Sequence, residues 1–363
     1  MAIALFVGSL ALSAALTAIV RRRAVDMNLV ARPAADRYHR TAVPLGGGIA
    51  IFGTMIFFIL AGAAAMKFVL IPGHFARIAE RANIIPADFA GKAAQLAVML
   101  GAAAALFALG LWDDIKHLGP GLKLIVQFAA ALTAAFFAEI RVEFFIESKL
   151  VTSILSAFWI VLIINAFNFL DNMDGLSAGI AVIAGSILFT AAARSGQIFV
   201  GGLTIAFIGA LCGFLVFNFP PAKIFMGDAG SMVVGFFVAM LTLRTTYYHE
   251  ALSGRWYPVF MPLIVMAVPL YDFISVTLLR ISQGRSPFVG DTQHFSHRLR
   301  RRGLSDRQTT LTLYLATLCT GLGAIFLYQV DLAGAILIFL QTIMVLSIIA
   351  ILETTSNNAK KAE

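Results

Sequence analysis

Apolar residues along this chain fall into eleven long blocks of roughly 18 to 22 residues, separated by short polar stretches. A helix of that length crosses the hydrocarbon core of a bilayer. The blocks predict transmembrane helices over 3–20, 45–66, 93–111, 123–140, 151–168, 177–194, 198–217, 230–247, 258–279, 311–328 and 333–352. Only a few residues join blocks six and seven, and blocks ten and eleven, so each pair is expected to form an antiparallel hairpin. Residues 67–92 mix Phe75, Ile78 and Ile84 with charges and read as an interfacial amphipathic helix. No internal repeat is visible, and the abundant alanine suits close packing of membrane helices. The expected fold is an all-α polytopic membrane bundle, one transmembrane domain over 1–352 with a disordered tail over 353–363.

Composition supports that class. Of the 363 residues, 60% are hydrophobic and 13% charged, and the mean hydropathy is +0.89. A soluble domain carries about a quarter charged residues. Cys212 and Cys319 lie inside apolar blocks, so they read as packing residues and not as a disulfide or metal framework. Arg21, Arg22 and Arg23 follow the first block, the reverse of a signal peptide's order, which predicts a retained helix. With the amino terminus outside and the carboxyl terminus cytoplasmic, inside segments hold 18 of the 27 lysines and arginines, as the positive-inside rule requires.

That orientation sorts the acids. Asp113 and Asp114 in "GLWDDIKHLGPGLK", Asp171 and Asp174 in "NAFNFLDNMDGLSAG", Asp228 in "FMGDAGS" and Asp291 in "DTQHFSHRLRRRG" all fall at inside ends of blocks. Outside acids such as Glu143, Glu147 and Glu250 are scattered. Acids at membrane level are costly unless paired, hydrated or bound to a cation. Converging carboxylates suit Mg²⁺, which shares its shell with substrate phosphates. Nearby lie Arg280, Arg285, Arg298, Arg300, Arg301, Arg302 and Arg307, with His294 and His297 among them. Carboxylates for a metal, guanidiniums for phosphate and imidazoles for a diphosphate or a proton together describe phosphoryl transfer.

Each motif also has a plain structural reading. Asp113–Asp114 could mark a helix end, "NMDG" could be a hairpin turn, Asp228 could cap the eighth helix, and the arginines could be positive-inside charge. If helical, Asp171 and Asp174 would share one face. Gly46, Gly47 and Gly48 follow no predicted strand, so they read as a close helix contact and not a phosphate loop.

In order along the chain, "RPAADRYHRTAVPLGGGIAIF", "LWDDIKHLGPGLKLIVQ", "NAFNFLDNMDGLSAG", "FMGDAGSMVVG", "VPLYDFISV" and "DTQHFSHRLRRRGLS" resemble the polyprenyl-phosphate N-acetylhexosamine-1-phosphate transferases, glycosyltransferase family 4. The resemblance implies transfer of an N-acetylhexosamine 1-phosphate from a UDP-sugar to undecaprenyl phosphate, with release of UMP. It implies Mg²⁺, or Mn²⁺ in its place, at the cytoplasmic face of the bacterial inner membrane. Partners would be the two substrates and membrane lipid, with a homodimer allowed and no nucleic acid.

By the same resemblance, Asp113, Asp114, Asp171 and His294 are the catalytic candidates. Asp228, Asp113 and Asp171 would ligate the metal, and Lys123, Asn168, Asp174, His297 and Arg298 would bind substrate. Three positions depart from the family pattern. The usual "DG-x-DG" reads "DNMDG", with Asn172 for Gly; the common "H-x-HH" reads "HFSH", with Ser296 between the imidazoles; and His117 stands three residues after Asp114. An asparagine tolerates positive φ better than most residues, should position 172 require it. "HFSHRLRRRGLS" resembles the N-acetylglucosaminyl branch more than the muramoyl-pentapeptide branch, which stays an alternative. A transporter is the rival from another class, and Asp272 inside the ninth block is the residue in its favour.

Overall fold

The computed structural model describes residues 2–31, 42–70, 89–142, 146–245, 247, 256–286 and 293–354. The predicted interfacial helix over 67–92, Asp291 and most of the tail therefore lie largely or wholly outside the described residues. Helices α1 (Ala2–Arg23), α2 (Gly47–Ala65), α3 (Phe89–Lys116), α4 (Pro120–Phe137), α5 (Lys149–Leu170), α6 (Leu176–Arg194) and α7 (Ile198–Asn218) come first. After them come α8 (Asp228–Arg244), α9 (Met261–Val265), α10 (Ala267–Ser282), α11 (Phe295–Arg301), α12 (Asp306–Phe326) and α13 (Leu332–Thr354). Among the described residues, nine of these are long and apolar enough to cross a membrane: α1 to α7, α12 and α13. Helices satisfy their own backbone polar groups, the condition for lying in lipid. Large apolar side chains such as Ile3, Leu132, Leu340, Met344 and Ile351 remain exposed on the outer helices, as a lipid-facing surface allows.

The other two predicted spans differ in kind. The ninth is broken: a 3₁₀ turn at Tyr257–Phe260 and α9 meet α10 at a bend of 63°. Pro269 explains the place. It has no N–H to give the carbonyl of Val265, and its ring would clash with that carbonyl in a continuous helix. α9 ends at that residue. The eighth span, α8, is 17 residues long, about 26 Å at 1.5 Å per residue. It is the centre of the bundle: every residue from Ala229 to Thr242 is buried, and α2, α3, α5 and α6 surround it. The predicted hairpins are present, with α6 packed on α7 and α12 on α13.

The amino-terminal end of α8 is held by backbone. A short antiparallel pair, Val30–Ala31 with Val43–Pro44, leads into α2. Pro44 O accepts from Phe225 N at 2.8 Å, Gly47 N donates to Phe225 O at 3.0 Å, and Gly48 N donates to Met226 O at 2.9 Å. A Cβ on Gly48 would lie 2.3 Å from Gly230 N. The glycine run is thus a backbone-to-backbone contact between α2 and α8.

Candidate active site

The carboxylates gather where the ends of α3, α5 and α8 and the start of α4 meet. Asp113, in the last turn of α3, is 4% exposed. Its Oδ1 accepts from Leu118 N at 2.6 Å and its Oδ2 from Lys123 Nζ at 2.6 Å. Pro120 opens α4, where a missing N–H costs nothing, and Lys123 one turn on reaches back to α3. The same ammonium lies 3.1 Å from Asp228 Oδ2. Asp228 Oδ1 accepts from Asn168 Nδ2 at 3.0 Å, and Asn168 also donates to Ser231 Oγ at 2.9 Å. One lysine and one asparagine therefore tie two carboxylates from distant parts of the chain into a single network.

Asp114 does something different. Its Oδ1 accepts from Asp228 N at 2.8 Å and its Oδ2 from Ala229 N at 3.2 Å. A carboxylate from α3 thus caps α8, whose first N–H groups have no partner within the helix. Gly227 makes room for it: its φ is +78°, and a Cβ there would sit 2.6 Å from Asp114 Oδ2.

The stretch 171–175 is a turn and not a helix, so Asp171 and Asp174 do not share a helical face. α5 stops at Leu170 and Asp171 is its C-cap. Asp171 accepts from the Gly227 amide; burial, and then the charges of Asp228 and Asp114, raise its carboxyl well above the usual range. Asp174 turns instead to the loop before α8, where Oδ2 accepts from Ala222 N at 2.8 Å. Its carbonyl accepts from Thr310 Oγ1 at 3.3 Å, and the Gly175 carbonyl accepts from the Tyr314 hydroxyl. α12 grips this turn from outside. Asn172 does not need positive φ. Its Nδ2 donates to Phe169 O at 2.5 Å, and its Oδ1 accepts from Ser296 Oγ at 2.7 Å.

The histidines form the second half of the site. Asp272, fully buried on α10, lies 2.9 Å from His294 Nδ1 through Oδ2 and accepts Phe295 N at 3.1 Å through Oδ1. A carboxylate on one imidazole nitrogen fixes the ring and which nitrogen faces outward. The His294 ring stands edge-on to Phe169, next to Asn168, at 5.3 Å. His297 lies 6.2 Å from His294 ring to ring. Burial, and then the neighbouring His294, push His297 down to about 4, so it is neutral at pH 7. Arg298 lies 3.0 Å from Ser275 Oγ and 3.1 Å from Glu353 Oε1. Glu353 also accepts from the Tyr271 hydroxyl at 2.7 Å and, through its carbonyl, from Arg302 Nη2 at 3.0 Å.

Among the sequence candidates, Asp113, Asp114, Lys123, Asn168, Asp171 and Asp228 come together, and His294 and His297 adjoin them across Phe169. Asp174 is bonded to the loop before α8, and Arg298 to Ser275 and Glu353. Sequence reading missed Asp272 as a partner of His294, Ser231 as a partner of Asn168, and Glu353. An acid inside an apolar block was the available signal for Asp272; Ser231 and Glu353 gave none.

Among the described residues, no three His, Cys, Asp or Glu side chains converge on one cation position. Asp113 and Asp228 meet at the Lys123 ammonium instead. Asp114 and Asp171 stand beside Asp228, and burial, then the charges of Asp228 and Asp114, raise the Asp171 carboxyl. A divalent ion that keeps waters and substrate phosphates in its shell needs only one or two protein carboxylates. The residues present fit such an ion.

Fold and site together define a multi-pass membrane protein with a carboxylate-rich polar site at one end of its helices. The family model described as Glycosyl transferase family 4 matches residues 96–246. It is 29% identical over 353 residues to the probable undecaprenyl-phosphate N-acetylglucosaminyl 1-phosphate transferase of Bacillus subtilis (strain 168), covering 95% of this chain and 90% of that one. The decaprenyl-phosphate N-acetylglucosaminephosphotransferase of Mycobacterium tuberculosis (strain ATCC 25618 / H37Rv) is 28% identical, over 88% of this chain and 82% of its own. The undecaprenyl-phosphate alpha-N-acetylglucosaminyl 1-phosphate transferase of Escherichia coli (strain K12) is 26% identical, over 82% and 76%.

Proposed function

We propose that this enzyme transfers N-acetylglucosamine 1-phosphate, or that of a closely related N-acetylhexosamine, from a UDP-sugar to undecaprenyl phosphate. UMP and a lipid-linked diphosphate sugar are the products. The observation that carries the chemistry is the network Asp113–Lys123–Asp228–Asn168 with Asp171 beside it. The names of the relatives, similar over most of this chain, support the substrates. Positive-inside charge supports a cytoplasmic site in a bacterial inner membrane.

Asp228 and Asp171 would hold a Mg²⁺ ion, with Asp113 adjacent; bound there, it would neutralise the diphosphate of the donor and the leaving UMP. Lys123 presents a second positive charge to phosphate oxygens at the same place. Asp113 accepts any remaining proton of the lipid phosphate, whose second pKa lies near 6. The ionised phosphate oxygen attacks the phosphorus bonded to the sugar oxygen. The bond from that phosphorus to the UMP oxygen breaks, and UMP carries the electron pair away. His294 is held at Nδ1 by Asp272, and as the imidazolium it would donate from its other ring nitrogen to a diphosphate oxygen. The lipid tail can lie along an apolar cleft between α4 and α5, lined by Phe128, Leu132, Ile154 and Phe158. α4 carries Lys123 at its start.

A two-step route through an aspartyl phospho-sugar uses the same residues. Exchange of labelled UMP into UDP-sugar without lipid would favour it. The purified protein, given undecaprenyl phosphate, Mg²⁺ and a panel of UDP-sugars, is expected to release UMP. Asp113→Asn and Asp228→Asn are expected to abolish that release with melting temperature retained. No release with any donor would overturn the assignment. The acids gather at helix ends and the buried Asp272 is paired with His294, so nothing observed favours a transporter.

A further inference from the structure

Two of the three departures from the family pattern touch each other. Ser296, fully buried on α11 between His294 and His297, donates to Asn172 Oδ1 at 2.7 Å. Asn172 stands in the turn between Asp171 and Asp174. Its amide orientation is fixed, because Nδ2 donates to Phe169 O at 2.5 Å and leaves the oxygen for the serine. The bond thus joins the carboxylate turn to the histidine helix, two segments 124 residues apart in the chain.

Each residue suits only the other. Glycine at 172 would leave the Ser296 hydroxyl buried without this acceptor, and a buried unpaired polar group is costly. Histidine at 296, with serine's fully buried position to fill, would meet the Asn172 amide and overpack the joint. Asn with Ser fits, and Gly with His frees the space an imidazole needs; either mixed pair is mismatched.

We propose that Asn172 and Ser296 are a matched pair of positioning residues that set the spacing between the Asp171 carboxylate and the His294 and His297 imidazoles. For turnover this rests on the transferase reading. Neither residue is assigned to touch substrate. They act by holding those that do, and sub-ångström placement of such groups governs rate.

The test compares wild type, N172G, S296H and N172G/S296H, purified in detergent, by UMP release and by thermal melting. N172G and S296H should each lower kcat about tenfold, the size of one lost hydrogen bond. KM for both substrates should stay within about twofold. The double variant should recover to within about threefold of wild type, a coupling that independent sites do not show. Single variants within twofold of wild type, or losses that multiply in the double, would overturn the pair. Failure of the wild type to release UMP would overturn the transferase reading instead. The pair is then judged on melting: single variants lowered and the double restored supports it, while additive shifts sink it.

Discussion

Lys123 holds two carboxylates at 2.6 and 3.1 Å, so replacing it removes the one cation seen between them. Lys123→Met is expected to cut UMP release by about a hundredfold or more, as loss of a preorganised charge at a reacting phosphate does. Single-turnover kinetics on folded protein would check it. Asp114 should behave differently, because both its oxygens serve the start of α8. Asp114→Ala is expected to lower stability by about 1–2 kcal/mol, the size of a lost helix cap, with Asp114→Asn between it and wild type in a detergent melting series. His297, held neutral down to about pH 4, makes a signed prediction. The unfolded chain takes up a proton near 6.5 and the folded one does not. Its contribution is therefore full above pH 6.5 and lost as pH falls towards 4, by up to about 3 kcal/mol. His297→Gln should flatten the melting profile between those values. The two neighbours Asp113 and Asp114 look interchangeable in the chain; their partners, an ammonium and a helix end, tell them apart.

At the scale of elements, most of the bundle was legible because lipid demands long apolar blocks, and nine of the eleven predicted spans are long apolar helices among the described residues. The ninth needed one proline read together with the carbonyl four residues before it. The bend it causes aims Asp272 at His294, so the hidden break and the hidden partner are one omission. Pro269→Ala restores an N–H to Val265 and should favour a straighter helix. The expected outcome is a drop in kcat of about tenfold with little change in melting temperature, from displacement of the His294 ring. The joint between α2 and α8 gives the converse. Gly48→Ala places a carbon 2.3 Å from Gly230 N, and should destabilise by about 1–3 kcal/mol, read as earlier thermal aggregation.

For the molecule as a whole, the last helix is tied through Glu353 to the helices that carry the histidines and Asp272. Glu353 falls in the stretch read from sequence as tail, because nothing local marks an acid at the end of an apolar block as a partner. It is 7% exposed, and it holds Tyr271, Arg298 and Arg302. A chain stopped after Thr354 is expected to keep full activity, and one stopped after Leu352 to lose most of it, with expression and detergent extraction as controls. The clustered carboxylates Asp113, Asp114, Asp171 and Asp228 lie within residues 96–246, the part the family model matches, yet bonds that steady the site cross that border. Thr310 and Tyr314 reach the Asp174–Gly175 turn, Arg307 reaches Pro220 O at 2.9 Å, and α13 anchors the histidine helix. The carboxyl-terminal third is therefore no interchangeable module. Hybrids spliced near residue 246 between this chain and a relative should insert into the membrane and yet fail to turn over, until the residues on both sides of the splice come from one parent.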